Sequence, residues 1–177
     1  MQLRQRLAQS LDRIDDRFRW ARLEPGGLVG VGQPPHALSD LDAVASDRLE
    51  WSKDPAKDGK VDEKSLQEAA IAVLAEHLGV LSGIEREPSG HSEFVDAEAR
   101  AWDVKSPVSP DREGWIFDPH HHLEVIREDL DQGEGILLDL SRLQRQDSLC
   151  LVEVLQNGLE VHQRGQVLVL LEQELVG

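Results

Sequence analysis

The run Ile136-Leu137-Leu138-Asp139-Leu140 restricts most strongly what this chain can fold into. A nearly unbroken apolar segment of this length, without polar alternation, is the pattern of a strand covered on both faces. Helical patterns flank it. Upstream, Asp118-Pro119 opens a helix over about His120–Asp131, with Asp118 as N-cap and Pro119 in the first turn, where a missing N–H is harmless. Leu123, Ile126 and Leu130 give that helix its apolar stripe, and Gly133 and Gly135 close it. Downstream, a second helix is expected over about Asp147–Gln163, weakened in its middle by Gly158. Trp115-Ile116-Phe117 and Gln166–Leu171 read as short apolar strands on either side. A strand–helix–strand–helix–strand succession implies right-handed crossovers and parallel pairing. The expected fold class is therefore α/β.

Ahead of this unit, Phe94–Lys105 reads as a tight β-hairpin turning through Ala97–Arg100. Side chains alternate across a strand, so Trp102 and Val104 share one face while Asp103 and Lys105 share the other. Asp96 lies just across the turn. An antiparallel hairpin followed by parallel strands makes the sheet mixed. Two carboxylates and one ammonium on a small volume suit divalent-metal chemistry, because clustered acids repel unless a cation neutralises them. Each residue also has an ordinary role open to it: Asp96 suits a turn, and Asp103 with Lys105 suits a solvated strand face.

A strong helical pattern over about Asp62–Gly79 precedes the hairpin, its apolar face running from Leu66 through Leu78 and ending on the helix-stopping Gly79. Val80–Ile84 leads toward an edge strand, and Pro88, Ser89 and Gly90 form a turn. This helix carries Glu68 and, eight residues on and near the same face, Glu76. Ser65-x-x-Glu68 also fits a helix capping box. His120-His121-His122 cannot share one ion from a regular helix, since consecutive side chains point about 100° apart. Surface or capping roles suit them, with a contact from His120 and His121 to substrate phosphate as the functional alternative.

Residues 1–23 repeat apolar positions at helical spacing (Leu3, Leu7, Leu11, Ile14, Phe18, Ala21) and are expected to form an amphipathic helix. Residues 24–60 are rich in Pro and Gly and read as a linker, which sets residues 61–177 apart as a domain. Gly30-x-Gly32 lacks the third glycine of a dinucleotide-binding loop. A single cysteine, Cys150, excludes an internal disulfide and reads as a buried small hydrophobe. Neither a transmembrane run nor a signal-peptide pattern is found, which suggests a cytoplasmic setting. Net charge is −15, and residues 1–60 balance at ten of each sign, so the whole excess falls on 61–177. Such a domain repels phosphate backbones at long range. That is compatible with a bound metal ion, or with a non-catalytic domain that binds a basic partner.

Helix, hairpin with Asp96 and Asp103-Val104-Lys105, then αβ, over about residues 62–171, resembles the PD-(D/E)xK (restriction-endonuclease-like) nuclease superfamily. The form Val-Asp-x-x-x-Arg-x-Trp-Asp-Val-Lys looks most like nuclease domains of polymorphic and contact-dependent inhibition toxins. Val95 stands where the family pattern has proline. The resemblance implies a restriction-endonuclease-like core and hydrolysis of nucleic acid, DNA or RNA. It implies Mg²⁺ or Mn²⁺ held by Asp96, Asp103 and Glu68, with Lys105 completing the catalytic set. It also implies delivery into a target-cell cytoplasm and a cognate immunity protein as partner.

Overall fold

A computed structural model describes residues 1–33 and 40–176. Pro34, Pro35, His36 and Leu38, which the sequence reading assigns to the linker, lie outside the described residues. In chain order the elements are α1 (Leu3–Asp12), β1 (Phe18–Glu24), β2 (Gly27–Gly30), α2 (Leu41–Asp47), α3 (Glu63–His77), β3 (Glu85–Arg86), β4 (Phe94–Val95), β5 (Ala101–Lys105), α4 (Pro119–Asp131), β6 (Gly135–Asp139), α5 (Arg145–Gly158), α6 (Val161–Arg164) and β7 (Val167–Glu172). Short 3-10 turns at Leu49–Ser52 and Pro55–Lys57 connect α2 to α3.

One seven-stranded mixed sheet, ordered β2-β1-β7-β6-β5-β4-β3, carries six α-helices among the described residues. Strands β5, β6 and β7 are parallel, while β1 joins β7 antiparallel and β4 joins β5 antiparallel. The alternation of side chains sorts the core into two layers. Trp20, Phe94, Trp102, Val104, Leu137 and Leu168 face α1 and α3. Ala21, Leu23, Ile136, Leu138, Val167 and Val169 face α4 and α5, whose stripes are Leu123, Ile126 and Leu130 and then Leu151 and Leu155. Every residue of β6 is buried, as its unbroken apolar pattern requires.

Helix α3 starts where Asp62 accepts a hydrogen bond from Ser65 N at 2.8 Å and Ser65 Oγ accepts one from Asp62 N at 3.0 Å. Ser65 is thus the third residue of a capping box whose cap is Asp62, and Glu68 takes no part in it. Eleven consecutive residues, Ser65–Ala75, are buried.

The N-terminal reading is corrected. The helix ends at Asp12, not near Arg22, and Phe18–Glu24 forms a strand inside the sheet. Phe18 and Ala21 satisfy helical spacing by coincidence, whereas Phe18 and Trp20 alternate as a strand requires and enter the α1–α3 layer. The segment expected to be a linker, with room for a short helix or turn at Leu41, Val44 and Leu49, supplies β2 and the 3-10 turns as well as the short helix α2, with Ala45 and Trp51 buried against that layer. Trp115-Ile116-Phe117 is loop, not strand. Its Ile116 is 90% exposed, and β5 instead feeds the crossover into α4. The second helix stops at Gly158, which carries no side chain where a Cβ would come within 2.5 Å of Leu123 Cδ2. Cys150 is exposed, because Leu151 and Leu155 take the inward face of α5.

Candidate metal centre

Strand β5 presents Trp102 and Val104 to the α3 layer, which turns Asp103 and Lys105 toward α4. Lys105 Nζ forms an ion pair with Asp103 Oδ2 and lies 2.8 Å from Asp129 Oδ2 in the last turn of α4. That oxygen is buried and accepts no aligned hydrogen bond, so its contact with the ammonium is charge against charge. Glu134, in the turn between Gly133 and β6, completes the group. Oxygens of Asp103, Asp129 and Glu134 all lie within 4.8 Å of one another. The register explains the meeting: Trp102 pairs with Gly135 and Asp103 with Ile136, so the turn before β6 sits level with the start of β5.

Burial, opposed by Lys105 and reinforced by Asp129, pushes the Asp103 carboxyl up to about 6. Glu134 is also raised, first by burial and then by the Asp129 charge, with His91 and Lys105 pulling the other way. Burial would lower Lys105, but Asp103 and Asp129 outweigh it and hold the ammonium above its ordinary value. Three carboxylates around one ammonium leave excess negative charge in a partly enclosed space. The donor set is all hard oxygen, and its spacing approaches the roughly 4–5 Å between opposed oxygen ligands of one divalent ion. Asp103, Asp129 and Glu134 could therefore hold a metal ion that favours oxygen ligands.

Of the residues predicted from sequence, Asp103 and Lys105 come together and the others do not join them. Asp96 is spent on the hairpin: Oδ1 accepts from Glu98 N and Arg100 N at 2.9 and 3.0 Å, and Oδ2 accepts from Trp102 Nε1 at 2.9 Å. Burial would raise its pKa, yet these donors outweigh it and hold the carboxyl below the ordinary range. Glu68 is 4% exposed on α3, on the opposite side of the sheet from Asp103. Its oxygens pair with Lys64 and Arg86, each at 3.1 Å. Glu76 is held by Arg48 at 2.6 Å. His120 and His121 are exposed at the start of α4, their backbone N–H groups donating to Asp118 Oδ1 at 3.1 and 3.2 Å. Nine residues of helix put His120 about 13 Å along the axis from Asp129.

Asp129 and Glu134 escaped the sequence reading, although a signal was there. The last turn of α4 has no basic residue and carries Glu128, Asp129 and Asp131, charges that a helix C-terminus disfavours. Acids kept where the dipole opposes them invite a search for a cation. Comparison with protein-family models, curated proteins and solved structures finds no match.

Proposed function

We propose that the protein is a metal-dependent nuclease of the PD-(D/E)xK type, hydrolysing phosphodiester bonds in DNA or RNA at Asp103, Lys105, Asp129 and Glu134. The observation that carries this reading is the pairing of Asp103 and Lys105 on one strand face with two further carboxylates from the following αβ unit. The order α3, β4, β5, α4, β6 agrees with the succession the resemblance implies. The metal set differs from the implied one, with Asp129 and Glu134 in place of Asp96 and Glu68. A divalent ion held there would polarise a phosphoryl oxygen and lower the pKa of a coordinated water. Lys105, a retained ammonium, offsets the charge that develops on the phosphoryl oxygens as water oxygen bonds to phosphorus. The bond to the leaving oxygen breaks in the same displacement, and that oxygen takes up a proton.

The assay is incubation with tRNA, plasmid and single-stranded DNA, with and without Mg²⁺ or Mn²⁺. Cleavage should require metal and vanish in Asp103→Ala, Lys105→Ala and Asp129→Ala. Cleavage that survives these changes would overturn the site. The net charge of −15 favours a second reading, a non-catalytic domain that keeps the fold and binds a basic partner. Calorimetry separates the two readings. Saturable Mn²⁺ binding lost in Asp129→Asn supports the nuclease, and the absence of binding supports the interaction domain. If the nuclease is a toxin effector, as its hairpin pattern suggests, a cognate immunity protein is the partner to seek.

A further inference from the structure

A cavity of about 430 Å³ opens on the α3 side of the sheet, at the end where β5, β6 and β7 begin. Its charged lining is unusual for this molecule. Acidic residues outnumber basic ones 34 to 19 in the chain, yet among the described residues lining the cavity the charged ones are Arg22 and Arg100, with no carboxylate. Four glycines, among them Gly79 and Gly165, supply part of the remaining wall as bare backbone.

Both arginines are oriented by acids that stand outside the lining. Arg100 Nη2 donates to Glu98 Oε2 at 3.1 Å, and its guanidinium lies 6.0 Å over the Trp102 ring. Arg22 Nε lies 3.0 Å from Glu24 Oε1 but out of line for a hydrogen bond, and that buried N–H has no other acceptor. A guanidinium offers five N–H donors in a planar fork, and each of these contacts engages a small part of it. Two such forks facing one cavity suit a tetrahedral oxyanion that accepts several donors at once.

We infer that the Arg22–Arg100 cavity binds a phosphate group of the nucleic-acid strand, away from the bond being cut. This rests on the nuclease reading. Trp102 lines the cavity on the α3 face of the sheet, and the adjacent Asp103 belongs to the carboxylate centre on the α4 face, so a strand occupying both would bend around the sheet end at the β4–β5 turn. The cavity offers free guanidinium N–H donors to a polyanion on a chain that repels it at long range.

The test is binding of a fluorescein-labelled single-stranded oligonucleotide, as DNA and as RNA, to the full chain in EDTA, followed by anisotropy across a NaCl series. Arg22→Gln and Arg100→Gln should each weaken binding about tenfold and reduce the salt slope by about one, with melting temperature unchanged. Arg22→Lys and Arg100→Lys should restore the slope while recovering only part of the affinity, because Lys keeps the charge but loses the fork. Inorganic pyrophosphate should compete with the oligonucleotide in wild type and fail to bind the double Gln variant. Unchanged affinity and slope in the double variant, or a wild type that binds neither probe, would overturn the inference. Arginine-dependent binding without cleavage under any metal would sink the nuclease reading and leave the cavity assignment standing.

Discussion

Asp103 is a carboxylate kept in a place that favours its protonated form, and the sign of its effect on stability follows. Its folded-state pKa of about 6 lies above the ordinary value of 3.8, so the folded protein binds the proton more tightly than the unfolded chain does. Stability due to this group is therefore full below pH about 4 and declines up to pH about 6, by roughly 3 kcal/mol at most. Asp103→Asn should flatten this part of the melting-temperature profile between pH 4 and 7, as read by calorimetry without metal. Mn²⁺ should raise the wild-type melting temperature at pH about 7.5 and do so less at pH about 5, because metal and proton compete for one carboxylate. Lys105 has the same sense at alkaline pH, because its ammonium is also held above its ordinary value and its contribution is lost as the proton leaves. Lys105→Met leaves Asp103 and Asp129 without their cation and should cost about 2–4 kcal/mol in urea unfolding. Mn²⁺ should then recover more stability in this variant than in wild type. Equal metal shifts in the two proteins would mean that ammonium and metal do not share the same carboxylates.

At the level of elements, the hairpin shows how a residue can be right for the site by type and wrong by direction. Asp96 has the identity and the spacing for a metal ligand, but its oxygens close the turn from Asp96 to Arg100 and fasten the Trp102 indole. Asp96→Ala should cost about 1–3 kcal/mol by leaving those donors unpaired. The melting-temperature shift produced by Mn²⁺ should persist in it, and loss of that shift would return Asp96 to the metal set. Asp103 and Lys105 were legible because a strand alternates with period two and Trp102 and Val104 fix which way is in. Asp129 and Glu134 were not, since the meeting of α4 and β5 depends on crossover packing and on the Trp102–Gly135 register, which no local pattern encodes. Strand β6 and the helices on either side of it were legible for the opposite reason: each carries its own apolar period and its own stop signal. Strand β1 was hidden because Ile14, Phe18 and Ala21 fall at spacings of four and three and prolong the pattern of α1 across a strand. Glu68 was placed correctly on its helix and on the wrong side of the sheet, because helical periodicity gives the buried face but not the layer it is buried in.

For the whole molecule, the excess of acid is carried on a fold whose core separates into two apolar layers, so most repulsion acts through solvent. Surface ion pairs contribute little each, and the uncompensated charge dominates the response to salt. Raising NaCl from about 10 to about 500 mM should raise the melting temperature by a few degrees, since the screening length falls from about 30 Å to a few ångströms. A fall instead would mean that the ion pairs outweigh the general repulsion.

Strand β1 lies between β2 and β7, with Trp20 opposite Leu170. On a translating ribosome, β1 and β2 emerge early and have no interior neighbour until β7 follows, some 140 residues later. At about 5–20 residues per second, the two-stranded ribbon waits on the order of ten seconds, and such a ribbon alone is barely stable in water. The half-sheet made by β3 to β6 therefore forms with an open hydrogen-bonding edge on β6. That edge closes only when β7 arrives and draws the earliest strands onto it.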